Sequence, residues 1–154
     1  MSPTLPKTVG EVMTRKVVTV TENDTIASLD DGFKRFRFRH MPVVDGDKLT
    51  GLVTHRDLLH ASSSFLSSMA EQRDALIYQQ PVKLIMQKNV VTVGPGEPLL
   101  EAARLMWDSK LGCLPVVEGD DHLVGIVTEA DFLRLWIVRL SDGEVPPPPS
   151  RALG

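Results

Sequence analysis

Two short stretches, Met41-Pro42-Val43-Val44-Asp45-Gly46 and Gly51-Leu52-Val53-Thr54-His55-Arg56-Asp57, decide how the chain is read, because each occurs twice. The first returns as Leu114-Pro115-Val116-Val117-Glu118-Gly119 at an offset of 73 residues. The second returns as Gly125-Ile126-Val127-Thr128-Glu129-Ala130-Asp131 at an offset of 74, after one extra residue near Asp120 and Asp121. On the N-terminal side, Val12-Met13 recurs as Ile85-Met86 and Val17-Val18-Thr19-Val20 as Val90-Val91-Thr92-Val93, again 73 apart. Four blocks in one order mark an internal duplication, in which a unit unable to bury its apolar face alone pairs with a copy.

Periodicity and punctuation give both copies the same order of elements. Val17 to Val20 and Val90 to Val93 are β-branched runs that predict short buried strands. Thr25 to Arg37 and Glu97 to Lys110 predict helices: Leu29, Phe33 and Phe36 in one, and Leu99, Ala102, Ala103 and Met106 in the other, keep the three-and-four spacing of a buried stripe. Pro98 suits a first helical turn, where its missing N–H is no loss. Pro42-Val43-Val44 and Pro115-Val116-Val117 predict strands, and Asp45-Gly46-Asp47 and Gly119-Asp120-Asp121 supply turn chemistry. Leu49 to Val53 and Leu123 to Val127 complete two hairpins, and a second helix starts at Thr54 and at Thr128.

The expected organisation is a first repeat with an N-terminal arm over 1–59, a linker over 60–81, a second repeat over 82–140 and a tail over 141–154. In the linker, Leu66, Met69, Ala70, Leu76 and Ile77 hold helical spacing up to Pro81, which predicts a connecting helix. Pro146 to Pro149 predict an extended or disordered tail.

With 154 residues, 42% apolar and 24% charged, the composition is that of a globular protein. Lys and Arg number 17 against 20 Asp and Glu, a net charge of -3 and the wrong sign for a nucleic-acid binder. Lys34-Arg35-Phe36-Arg37-Phe38-Arg39-His40 alternates base and ring, but reads as a solvated face with Phe33 and Phe36 turned to the core and an acidic protein as the fitting partner. Cys113 is the single cysteine, which excludes an internal disulfide and a thiolate zinc site and reads as a small buried thiol. His40, His55, His60 and His122 form no metal-binding pattern such as HExxH, and no enzyme signature occurs. The polar start, Met1 to Glu11, lacks a signal-peptide core, and no apolar run approaches the roughly 20 residues of a membrane span. The expectation is a cytoplasmic protein with no membrane insertion.

Together, the repeated strand, the Pro-Val-Val-acidic-Gly block and Gly-x-Val-Thr-x-x-Asp resemble the tandem CBS-domain pair, the cystathionine beta-synthase type regulatory unit called a Bateman module. The resemblance spans about residues 9 to 59 and 82 to 136. It implies an α/β (α+β) fold of two β-α-β-β-α repeats packed through their sheets about a pseudo-twofold axis. It also implies two clefts built across the repeats, which in the family commonly hold AMP, ADP, ATP or S-adenosylmethionine. One cleft would gather Thr14, Val18, Arg39, His40, Thr128 and Asp131. The other would gather Thr54, His55, Arg56, Asp57, Gln87, Val91, Gly112 and Cys113.

Thr54-x-x-Asp57 and Thr128-x-x-Asp131 are capping boxes in form, and that role alone would account for them. Within the resemblance they are also ligand contacts. A carboxylate accepts from both ribose hydroxyls, while a threonine and helix-start amides suit sugar or phosphate oxygens. Arg39 and His40 make the Asp131 cleft the expected phosphate binder, since their equivalents are Gly112 and Cys113. His55 and Arg56 either compensate in the Asp57 cleft or form an exposed first turn.

The implied protein is a stand-alone, non-catalytic energy or adenylate sensor. Its bound nucleotide favours one orientation of the repeats, and an unidentified regulated protein reads that orientation. The alternative is an interaction module with empty clefts that regulates an enzyme or transporter by contact. The last helix carries Phe132, Leu133, Leu135, Trp136, Ile137, Val138 and Leu140, more than one stripe can bury, and predicts a homodimer.

Overall fold

The computed structural model describes residues 4–62 and 75–147. In chain order its regular elements are α1 (Ile26–Phe36), β1 (His40–Asp45), β2 (Lys48–Thr54), α2 (His55–Ser62), α3 (Leu99–Ser109), β3 (Cys113–Glu118), β4 (His122–Thr128) and α4 (Glu129–Leu140), with single 3-10 turns at Val9–Glu11 and Val82–Leu84. This is the expected mixed α/β architecture in two copies. It forms two compact units, one from Val18–Val90 and one from Met1–Val17 with Val91–Gly154. We call them the Asp57 unit and the Asp131 unit.

Each unit is built on an antiparallel hairpin of the same register. Met41 faces Val53 and Val43 faces Gly51 across β1 and β2, as Leu114 faces Val127 and Val116 faces Gly125 across β3 and β4. Both first strands carry an irregularity at the same place, Val43/Val44 and Val116/Val117. The turns use left-handed glycines, Gly46 at φ +60° and Gly119 at φ +54°. The extra residue of the second hairpin is absorbed at Asp121, which adopts φ +56°, a conformation that aspartate tolerates.

The strands expected at Val17 to Val20 and Val90 to Val93 shrink to one paired residue each. Val20 pairs in parallel with Val43, and Val93 with Val116. Val20 donates its N–H to the Pro42 carbonyl at 3.1 Å and accepts from the Val44 N–H at 2.8 Å. The next bond of a parallel ladder would need an N–H at Pro42 for the Val18 carbonyl. Proline has none, so the ladder stops there, and Pro115 ends the other copy in the same way.

The two hydrophobic cores explain a departure from sequence order. In the Asp57 unit, Val20, Ile26, Leu29, Phe33, Met41, Val43, Val53 and Leu58 close around Val82, from beyond the linker. In the Asp131 unit, Val93, Ala102, Met106, Leu114, Val116 and Val127 close around Val9 and Met13. The N-terminal arm, placed by sequence order with the first repeat over 1–59, therefore completes the core of the second. Backbone bonds fix the exchange: Val9 N–H to the Glu97 carbonyl at 3.0 Å and Leu99 N–H to that of Lys7 at 2.8 Å. In the other copy Val82 N–H reaches the Asp24 carbonyl at 2.8 Å and Ile26 N–H that of Gln80 at 2.9 Å.

The helices follow their stripes with one correction. Leu29 and Phe33 of α1 are buried, as are Leu99, Ala102 and Met106 of α3, and Pro98 stands at the N-cap just ahead of α3. Phe36, expected on the core side, is 37% exposed. The helix ends at Arg37 in the left-handed conformation, and Phe36 instead stacks on Phe38 at 5.7 Å beneath the Arg35 guanidinium. No residue of α4 is buried, and Leu133, Trp136 and Leu140 are all at least 60% exposed. The expected connecting helix falls largely outside the described residues; its described end, 75–78, is helical and stops before Pro81. The described part of the tail, 144–147, has no regular structure, and Pro148 and Pro149 lie outside the described residues. Among the described residues no helix is long and apolar enough to cross a membrane.

Candidate functional site

The two Thr-x-x-Asp segments sit where the second strand of each hairpin turns into a helix, and both are capping boxes. The Thr54 N–H donates to Asp57 Oδ2 at 2.8 Å, the Thr54 hydroxyl donates to the same oxygen at 2.9 Å, and the Asp57 N–H donates back to Thr54 Oγ1 at 3.2 Å. The Thr128 N–H donates to Asp131 Oδ2 at 2.7 Å, and its hydroxyl stands at 3.4 Å. Each carboxylate is thus held at a helix start by a strand-end threonine, which satisfies backbone donors the helix itself cannot. Both are half-buried. Burial raises the Asp131 carboxyl above its ordinary range, against the opposing pull of the Thr128 bonds and of Arg134.

The glycine that opens each motif has a packing reason. A Cβ on Gly51 would stand 2.7 Å from Met86 Sδ and 2.9 Å from the Gln87 carbonyl oxygen; one on Gly125 would stand 2.6 Å from Met13 Sδ and 3.0 Å from the Thr14 carbonyl oxygen. The repeated Val-Met and Gly-x-Val-Thr blocks are therefore two halves of one contact, which reading them separately did not reveal. Their shared recurrence was the signal that could have joined them. The crossing chain pairs with the residue after the glycine: Gln87 and Leu52 exchange both backbone bonds at 2.8 and 2.9 Å, and Thr14 and Ile126 at 2.9 and 3.0 Å.

That crossing delivers one side chain to each aspartate. Gln87 Nε2 donates to Asp57 Oδ2 at 3.2 Å and lies 3.4 Å from Oδ1. Thr14 occupies the matching backbone position, paired with Ile126, but the donors to Asp131 among the described residues are both from Thr128. Gln87, Thr54 and Asp57 are thus joined by hydrogen bonds in one unit, while Thr14 shares the other unit with the bonded pair Thr128 and Asp131.

The remaining candidates lie within their own units. Arg39, exposed, passes its carbonyl to the His55 N–H at 2.8 Å, and His40 opens β1 opposite Thr54. Gly112 does the same for Glu129 at 3.2 Å, and Cys113 stands opposite Thr128. The Cys113 thiol is buried and its pKa is pushed up to about 12, first by burial and then by the Glu129 charge, so it is protonated at neutral pH. The His55 ring meets Phe33 edge-on at 5.8 Å, which makes it a cover for the core. Arg56 and Val91 are exposed and Val18 is half-buried. No group of three His, Cys, Asp or Glu among the described residues is placed to hold a metal.

Comparison with known proteins gives a consistent set. The family model described as CBS domain matches residues 9–64 and again residues 82–137. A CBS domain-containing protein of Dictyostelium discoideum is 35% identical over 141 residues, covering 90% of this chain and 96% of the relative. The crystal structure of CBSX2 in complex with AMP superposes with a TM-score of 0.73 at 26% identity, covering 86% of this chain and 97% of that one; the same protein is also solved from Arabidopsis thaliana. The CBS domain pair of protein MJ0100, in complex with 5-methylthioadenosine and S-adenosyl-L-methionine, gives 0.71 at 26% identity, with 85% and 97% covered. Several other curated relatives are longer, and the chain spans only 22% to 46% of their length.

Proposed function

The chain belongs to the CBS-domain family, and from that premise we propose that it is a non-catalytic regulatory pair that binds an adenosine-containing ligand through its Thr-x-x-Asp segments. The observation that carries the reading is the Asp131 carboxylate. Thr128 holds it in place through Oδ2, and no described side chain donates to Oδ1. A ribose diol brings two hydroxyl donors, the complement of a fixed, half-buried carboxylate with acceptor capacity in hand. AMP, ADP, ATP and S-adenosylmethionine are the ligands to test. That the CBSX2 structure holds AMP and the MJ0100 pair holds two adenosine sulfur compounds supports the same ligand class.

Binding acts on a regulated protein by favouring one state of the pair, and it does so only as far as the ligand's affinities for the two states differ. The exposed Leu133, Trp136 and Leu140 of α4 serve a homodimer, so light scattering on a sizing column should give about twice the 17.0 kDa chain mass. A monomer at micromolar concentration would remove that part of the reading. Calorimetry with the four ligands tests the whole. Heat of binding, with a rise in melting temperature set by ligand concentration over Kd, is the expected result. Silence from all four at millimolar ligand would leave a module that acts by contact alone.

A further inference from the structure

We infer that Gln87 is a built-in competitor for the ribose-binding carboxylate of Asp57, so that one side chain sets the order in which the two aspartate sites fill. The inference rests on the ligand reading above and adds to it which site is held back, and by what. Asp57 Oδ2 already receives three donors, from the Thr54 amide at 2.8 Å, the Thr54 hydroxyl at 2.9 Å and Gln87 Nε2 at 3.2 Å. The same nitrogen leans over Oδ1 at 3.4 Å. It therefore straddles the two oxygens that a ribose diol would have to share. A carboxylate offers roughly four lone-pair sites in all. A diol can take its full set of bonds there only after the amide has left.

The amide is delivered by its backbone, not by chance rotation. Gln87 is tied to Leu52 by bonds in both directions, and the absence of a Cβ at Gly51 lets the segment lie against the strand. Thr14 has the same backbone ties to Ile126 over Gly125, yet its short side chain makes no bond to Asp131. With the crossing backbones matched, the side chain that the crossing delivers differs between the two aspartates, and only Gln87 reaches its carboxylate. Gln87 is exposed and its bonds are long, so a ligand can displace it. The Asp57 site is handicapped, not closed.

The test is calorimetry with AMP on the full chain carrying Asp131→Ala, which leaves the Asp57 site to be read, with and without Gln87→Thr. Melting curves confirm that each variant is folded. Freeing Asp57 from a solvent-accessible hydrogen bond should tighten AMP binding roughly threefold to tenfold. The reciprocal change, Thr14→Gln on an Asp57→Ala background, should weaken the Asp131 site by a similar factor. Unchanged or weaker binding in Gln87→Thr would overturn the inference while leaving the ligand reading intact, because Gln87 would then be neutral or a ligand contact. AMP, ADP, ATP and S-adenosylmethionine all failing to bind the native chain and every variant would overturn the ligand reading, and this inference with it.

Discussion

The Asp57 and Asp131 units are the same machine with different mouths. In both, a hairpin of identical register ends in a threonine that caps the next helix, and a methionine crosses a glycine to bring one further residue alongside. In one, that residue is Gln87 and the aspartate is engaged; in the other, it is Thr14 and the aspartate is held by its threonine alone. Packing sets the shared part, since a Cβ on either glycine would collide with the crossing chain. The mouth is under no such constraint, so the copies could diverge there without disturbing either core.

The largest effect that would break the comparison is expected at the glycines. Gly51→Ala and Gly125→Ala each push a Cβ to within 2.9 and 3.0 Å of a backbone oxygen that cannot move as a side-chain tip can. Each should lower unfolding stability by about 1–3 kcal/mol, read from denaturant midpoints. Near-equal losses confirm that both crossings are built alike. A neutral result at either position would mean that the crossing chain is loosely held there, and that the residue it delivers is not positioned.

A smaller effect concerns the Asp131 site and pH. Burial raises the Asp131 carboxyl above 3.8, so the folded chain holds that proton more tightly than the unfolded chain does. Its contribution to stability is therefore full below the unfolded value and is lost as the pH rises through the folded one. Ligand binding runs the other way, because the ribose needs the charged acceptor. Adenosine, which has no phosphate to titrate, should bind the Asp57→Ala chain progressively less well as the pH falls through the raised range of Asp131. An affinity flat down to about pH 4 would show that this carboxylate is not the acceptor.

Much of this was legible from residue order, because hairpins and caps are local. Gly46 and Gly119 announced their turns, and each Thr-x-x-Asp announced a helix start that the structure places within one residue. What escaped was non-local or set by a single missing atom. The Val17 and Val90 strands were overdrawn because β-branching says nothing about whether the facing residue has an N–H, and Pro42 and Pro115 have none. Phe36 kept the spacing of the α1 stripe, but the left-handed Arg37 ended the helix beside it and gave it Phe38 as a partner. The exchange of the N-terminal arm leaves no local mark at all: Val9 and Met13 are apolar residues whose core partners begin at Val93. The difference between the aspartates was hidden for the same reason, since Gln87 means little until Met86 is known to cross Gly51.

Calorimetry with AMP on the native chain, Asp131→Ala and Asp57→Ala tests most directly whether Asp131 is the stronger ligand site. Loss of hydrogen bonds to a charged acceptor should weaken the tighter binding event about 10-fold to 100-fold in Asp131→Ala, with Asp57→Ala affecting only the weaker event. Loss of the tighter event in Asp57→Ala, or equal weakening by the two substitutions, would contradict a stronger site at Asp131.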